Sequence, residues 1–187
     1  MSVTSSVQGA VDKLQAQFKA WVNDITNNEE QLNTPAGALK KNAALAMITK
    51  LVGLSIPFAT RNHFRVVDFR PGYVKAAIPF KPNKNHFNAM YAGALFTVAE
   101  LPGGILQIFS FQEDFFPILE KMEIEFVKKA KTDVTVEFSL SKEEISRIGE
   151  EVRQNGKSRF TLIGEIKDKR NDVVAKTTAF YQVRNKN

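Results

Sequence analysis

The run FNAMYAGALFTVAELPGGILQIFSF, residues 87–111, contains one charged side chain, Glu100. A stretch this apolar must leave water, either into a bilayer or into the protein's own core. The sequence favours the core. Asn88, Thr97, Glu100 and Gln107 interrupt the run, and Pro102-Gly103-Gly104 is expected to kink or loosen it. A solitary span with a glutamate at mid-depth is costly, and the rest of the chain alternates as a water-soluble sheet does. The run is therefore read as a long helix enclosed by protein, with no membrane span.

The flanking pattern supplies the enclosure. Val7, Val11, Leu14, Phe18, Val22 and Ile25 predict an amphipathic helix over 7–25, which residues 27–37 break. Leu39, Ala43, Met47, Leu51 and Leu54 predict a second over 38–54, stopped by Pro57. After residue 60 the period changes to two. Strands are expected at 64–69 and 74–80, joined by a turn at Pro71-Gly72, then at 122–128, 133–140, 159–167 and 173–183. Ser141 and Glu144 have capping-box spacing for a helix over 141–156, and Gly156 is a natural stop. KDKRND at 167–172 reads as a turn. Except across the long helix, the links are too short for parallel crossovers. The expectation is an α+β protein with an antiparallel sheet of about six strands wrapped around the long helix. Residues 1–58 are expected to form a helical extension packed on this core, and 59–187 the sheet domain.

Composition narrows the function. Lys and Arg outnumber Asp and Glu by 26 to 20, which could draw nucleic acid, anionic lipid or a phosphorylated small molecule. The basic residues are scattered, without an arginine-rich arm or aromatic–basic repeat, so no nucleic-acid partner is expected. The chain has no cysteine, which removes disulfides, iron–sulfur ligation and thiol nucleophiles and fits a reducing cytoplasm. The first residues do not read as a secretory signal. His63 and His86 lack a carboxylate–histidine cluster at ligand spacing, so no metal is expected and a structural or loop role is read for each.

Glu100 needs its own account. Buried carboxylates are hydrogen-bonded, paired or protonated, and burial raises their proton affinity toward the range useful to a general base. From the residues alone two readings stay open: a working carboxylate, or one facing solvent or a partner arginine. Just upstream, Asn85, His86, Asn88, Tyr91 and Gly93 crowd a loop-to-helix junction. A helix start offers free N–H groups and a positive dipole end, and the small Ala92 and Gly93 would let a carbonyl approach. Glu100 falls about two turns further on nearly the same face, a plausible partner for such an oxyanion hole.

NHFNAMYAGALFTVAE (85–100) resembles the signature of hot-dog-fold thioesterases, in particular the PaaI-like branch of uncharacterised members; SIPF (55–58) and AAIPF (76–80) look like the same branch. The resemblance spans roughly residues 40–184. It implies a curved sheet around the central helix, subunits paired through their sheets, and an active site at the interface. There the loop of one subunit faces the helix carboxylate of the other, and coenzyme A thioesters are the common substrates. Asn85 matches the loop asparagine, Tyr91 the histidine position, Ala92 and Gly93 the two glycines, and Glu100 the acidic residue. The implied roles are Glu100 as general base on water, Gly93 with Ala92 as oxyanion donors, and Asn85 positioning water or carbonyl. Tyr91, His86, Asn88 and Phe96 would border the substrate. Lys128, Lys129 and Lys131 would meet the coenzyme A phosphates, although ordinary solvent exposure explains them equally well. Coenzyme A enters only as part of the substrate, and the partner is a second copy, with pairing of dimers into tetramers left open. Tyr91 and Ala92 depart from the His-Gly pattern, which leaves a noncatalytic dimer holding a fatty acid as the rival. A dehydratase would need the histidine that Tyr91 replaces.

Overall fold

In a computed structural model, which describes residues 19–21, 34–111 and 115–185, two compact units divide the chain, Met1–Ala44 and Leu45–Asn187. The expected helix over 7–25 lies outside the described residues except for 19–21, which are helical. Helix α1 (Pro35–Ser55) begins three residues earlier than its apolar stripe suggests. Thr34 supplies the reason: its Oγ1 accepts from the Gly37 N–H at 3.0 Å, and proline suits the first helical position because no N–H is needed there. Pro57 ends α1 but opens another helix, α2 (Pro57–Arg61). A residue before proline is pushed out of the helical region, and Ile56 sits at φ −130°, ψ 88°.

Six strands follow: β1 (Arg65–Arg70), β2 (Tyr73–Ile78), β3 (Phe115–Phe126), β4 (Val134–Ser139), β5 (Lys157–Asp168) and β6 (Val173–Asn185). They form one antiparallel sheet in the order β1-β2-β4-β5-β6-β3. β3 starts seven residues before the predicted strand. FFPIL gives no alternation, and a proline argues against a central strand; β3 is an edge strand, where proline is tolerated. At the opposite edge, β1 is bulged between Val66 and Asp68, and the Val66 N–H donates to Thr49 Oγ1 of α1 at 3.0 Å.

The sheet encloses α3 (Ala92–Ser110). Alternate residues of four strands are buried, among them Val74, Ala76 and Ile78; Val134, Val136 and Phe138; Phe160, Leu162 and Ile166; Ala175, Ala179, Tyr181 and Val183. Each large apolar side chain so buried contributes about 1.5–3 kcal/mol relative to exposure. Helix α3 is long and apolar enough to cross a membrane, yet 12 of its 19 residues are buried within the protein. The helix runs on through Pro102 to Ser110 without a break. Here the Tyr181 hydroxyl donates to the Glu100 carbonyl oxygen at 2.7 Å, tying the proline turn to β6. Between β4 and β5, α4 (Lys142–Asn155) carries the expected capping box: the Glu144 N–H donates to Ser141 Oγ at 3.1 Å and the Ser141 N–H to Glu144 Oε2 at 2.8 Å. Gly156 ends it at φ 74°.

Candidate active site

The loop before α3 is built by two asparagines. Asn83, buried, donates its Nδ2 hydrogens to the Asn62 carbonyl at 2.8 Å and the Pro79 carbonyl at 2.9 Å. Its own carbonyl accepts from the Tyr91 N–H at 2.8 Å. Asn85 Oδ1 accepts from the Phe87 N–H at 3.0 Å and the Ala89 N–H at 3.2 Å. These bonds hold a tight turn in which Asn88 adopts φ 53°, a conformation asparagine tolerates better than most residues. The side-chain oxygen of Asn85 is thus committed to the loop, leaving its Nδ2 as the group able to meet a ligand. Asn85→Ala is expected to lower unfolding free energy by about 1–2 kcal/mol, read by urea titration. Asn85→Asp keeps both acceptor bonds and should keep the stability, which ties the loss in the alanine variant to the acceptor oxygen.

At the start of α3 the Ala94 and Leu95 N–H groups donate to the Tyr91 carbonyl at 3.0 and 3.2 Å. The Ala92 and Gly93 N–H groups have no partner among the described residues, as expected at a first turn. The space left by the missing Cβ of Gly93 is taken by the Tyr91 ring: a Cβ there would lie 2.4 Å from its Cε1. Tyr91 is 57% exposed, so its ring borders the helix start from the solvent side.

A groove of about 300 Å³ opens beside this turn, lined by Asn85, Phe87, Ala92, Phe126, Lys128 and Lys129 among others. Four residues singled out from the sequence therefore meet here: Asn85, Ala92, Lys128 and Lys129. The His86 ring packs on Phe87 with centroids 3.9 Å apart, at the groove's border, and Asn88 is exposed in the turn. The groove is apolar inside with a basic rim. Lys128 is partly committed, its Nζ lying 2.6 Å from Asp172 Oδ2, whose carboxyl this lysine holds below the usual range.

Glu100 stands apart from that groove. It is half-buried, no side chain pairs with its carboxylate among the described residues, and burial pushes its carboxyl above the ordinary value. With Phe96, Gly104 and Ile108 it forms a row at four-residue spacing along the one uncovered face of α3. Seven residues separate it from Gly93, about 10 Å along the axis. The helix-start donors and the carboxylate are thus about two turns apart along one face, as their spacing implies. Below Glu100, Tyr181 is held protonated, first by burial and then by the neighbouring Glu100 charge, which suits its hydroxyl to donating. Tyr181 and Asn83 were not singled out from the sequence, and Gly103 was read only as part of a kink. Only the position of Asn83 after a proline in a polar loop gave a signal. Among the described residues no three His, Asp or Glu side chains gather as a metal-ligand set.

Residues 45–183 match a family described as a domain of unknown function, DUF4442. No curated protein matches the chain. Among solved structures, a Pseudomonas aeruginosa protein of unknown function, described as a probable thioesterase, shares 39% identity, with 74% of this chain and 94% of that one covered at a TM-score of 0.71. A Chlorobaculum tepidum protein of unknown function shares 12% identity over 78% of this chain and 96% of that one, TM-score 0.69. A Haemophilus influenzae thioesterase shares 13% over 75% and 90%, TM-score 0.61; these last two likenesses are of fold alone. With the sheet order, the enclosed helix and the matched segment together, the chain belongs to the DUF4442 family within the hot-dog-fold thioesterase superfamily.

Proposed function

We propose that the protein is a cytoplasmic acyl-CoA thioesterase acting as a homodimer, with Glu100 as general base. One observation carries the reading: an unpaired carboxylate, held above its ordinary value by burial, on the open apolar face of the central helix. The roughly 10 Å of helix axis between Glu100 and the free N–H groups favours a site shared by two copies, the loop of one facing the carboxylate of the other. The exposed Phe96, Ile108, Phe126 and Val127 and the unpaired edge of β3 support such a pairing. In the reaction Glu100 takes a proton from water as its oxygen bonds to the thioester carbon. The Ala92 and Gly93 N–H groups hold the oxyanion, then the C–S bond breaks and the coenzyme A sulfur leaves with the proton. Asn85 Nδ2 orients the carbonyl or the water, His86, Asn88 and Tyr91 border the entrance, and Lys129 with Lys128 meets the phosphates. Coenzyme A is the leaving part of the substrate, with no separate cofactor.

A noncatalytic carrier of fatty acid is the second reading, and the Tyr91 ring beside Gly93, at the position where the family pattern has histidine, favours it. Purified protein offered acetyl-, butanoyl-, decanoyl- and benzoyl-CoA is expected to release free thiol from at least one. Retained acyl ligand in native mass spectra, without thiol release from any ester, would select the carrier.

A further inference from the structure

Where α1 turns into α2 the chain exposes five residues in succession, Leu54, Ser55, Ile56, Pro57 and Phe58. Leu54 is 68% exposed and Phe58 52%, with Ile56 between them also open to solvent. Large apolar side chains gathered in this way mark a surface that another body covers. The corner is firmly built. The Thr60 hydroxyl donates to the Gly53 carbonyl at 3.1 Å, and a Cβ on Gly53 would lie 2.5 Å from that hydroxyl oxygen. Asn62 Nδ2 donates to the Phe58 carbonyl at 2.8 Å and so closes α2.

Beside the corner lies a cavity of about 380 Å³, lined by Lys50, Leu54, Ala59, Thr60, His63 and Phe64 among others. It shares no lining residue with the groove at the start of α3. Ala59 and Phe64 are buried and give it an apolar floor, while Lys50 and His63 are exposed at its rim. Charge here has one sign. From Leu45 to Val67 the sequence holds Lys50, Arg61 and Arg65 and no Asp or Glu. Among the described residues no acidic side chain pairs with Lys50, Arg61 or His63. His63 is moreover held at φ 53°, a conformation that glycine takes without strain and other residues do not.

An apolar corner ringed by cations fits a body that is anionic at its surface and apolar beneath. A second copy of the chain fits it poorly. In a two-fold pairing the same patch meets itself, and nothing from Leu45 to Val67 could neutralise the opposing cations. We propose that this corner docks on an anionic lipid bilayer, with Leu54, Ile56 and Phe58 entering the acyl boundary and the cavity seating one lipid phosphate between Lys50 and His63. The inference stands independently of the thioesterase reading.

The test uses the full chain with vesicles of phosphatidylcholine alone and of phosphatidylcholine with one-third phosphatidylglycerol, sedimentation giving the bound fraction. The unmodified protein is expected to bind the mixed vesicles at least about tenfold more strongly, and to lose that preference in molar sodium chloride. Phe58→Ser and Lys50→Glu should each weaken binding by about tenfold, the first by removing inserted apolar surface and the second by reversing a surface charge. Both side chains are exposed, so melting temperatures should stay near that of the parent. His63→Gly should hold or raise the melting temperature, since the left-handed strain is released, while vesicle binding falls severalfold; a merely structural histidine would not separate the two. Equal binding to both vesicle types, or to neither, overturns the proposal, as does unchanged binding in any of the three variants. A shifted oligomeric state of Phe58→Ser in light scattering, with vesicle binding intact, makes the corner a subunit contact instead.

Discussion

Glu100→Gln is expected to lower thioesterase turnover by at least about a hundredfold, the range a positioned general base contributes, while KM changes little and the fold survives. Glutamine preserves the shape and hydrogen-bonding reach of the side chain but cannot take a proton from water. The substitution should not destabilise, and the sign follows from linkage. Burial raises the Glu100 carboxyl in the folded protein, so between the unfolded and folded values the native state binds more protons. Stability is therefore full below the ordinary carboxylate range and declines as pH rises through the raised value. At neutral pH the ionised side chain works against folding, and the amide removes that opposition. Thermal melts at pH 7 should place the variant level with or above the parent, and the gap should close at pH 4. The pH profile offers a second check: kcat/KM should climb through a limb lying above the usual glutamate range, then level. Turnover retained in the glutamine variant would remove Glu100 from the mechanism, whatever the melts show.

The two glycines of α3 should answer alanine with opposite signs. At Gly103 the new methyl meets the Tyr181 hydroxyl, ring carbon and neighbouring edge at 2.1, 2.2 and 2.5 Å. Tyr181 is 2% exposed and stacked on Phe160, so it cannot swing aside. Overpacking of this kind typically costs about 1–3 kcal/mol, more than the gain of up to about 1 kcal/mol in helix propensity. Gly104→Ala keeps that gain and meets no clash. Melting temperatures should fall for the first and rise for the second, by about 2–4 °C per kcal/mol for a chain of this size. Tyr181→Phe, which loses the bond to the Glu100 carbonyl, should cost about 1 kcal/mol. The Gly103→Ala, Tyr181→Phe pair should be less damaged than the sum of the singles, because removing the hydroxyl relieves part of the clash. Equal and additive effects would dissolve the proposed interlock.

Much of this was legible in the residues. Alternation at β2, β4, β5 and β6 and the capping signals of α4 gave the elements, because each is a local pattern with one dominant physical cause. The solitary charge in an apolar run picked out Glu100 for the same reason. The early part of β3 was not legible, since FFPIL lacks a period and only its place at the sheet margin accommodates Pro117. The start of α1 was missed because Thr34 and Pro35 precede the apolar stripe and act through caps. Spacing put Gly93 and Glu100 on one helix face about two turns apart, and the reading of a site shared by two subunits came from the family resemblance rather than from that spacing. Tyr181 and Gly103 lie far apart in sequence, and nothing local announces that a ring from one fills the gap in the other. Asn85 was legible as polar loop chemistry, but not how much of it the loop itself consumes.

The two margins of the sheet are unequal, and this bounds how copies can join. Along β1 the ladder is bulged, and Thr49 already accepts from Val66, so a newcomer finds that rim occupied. β3 spans twelve residues, and among the described residues no strand pairs with it on the side away from β6. Should copies of the chain join edge to edge, β3 is the margin that leaves room for a partner strand, and a pair so formed would present only its two bulged β1 margins outward.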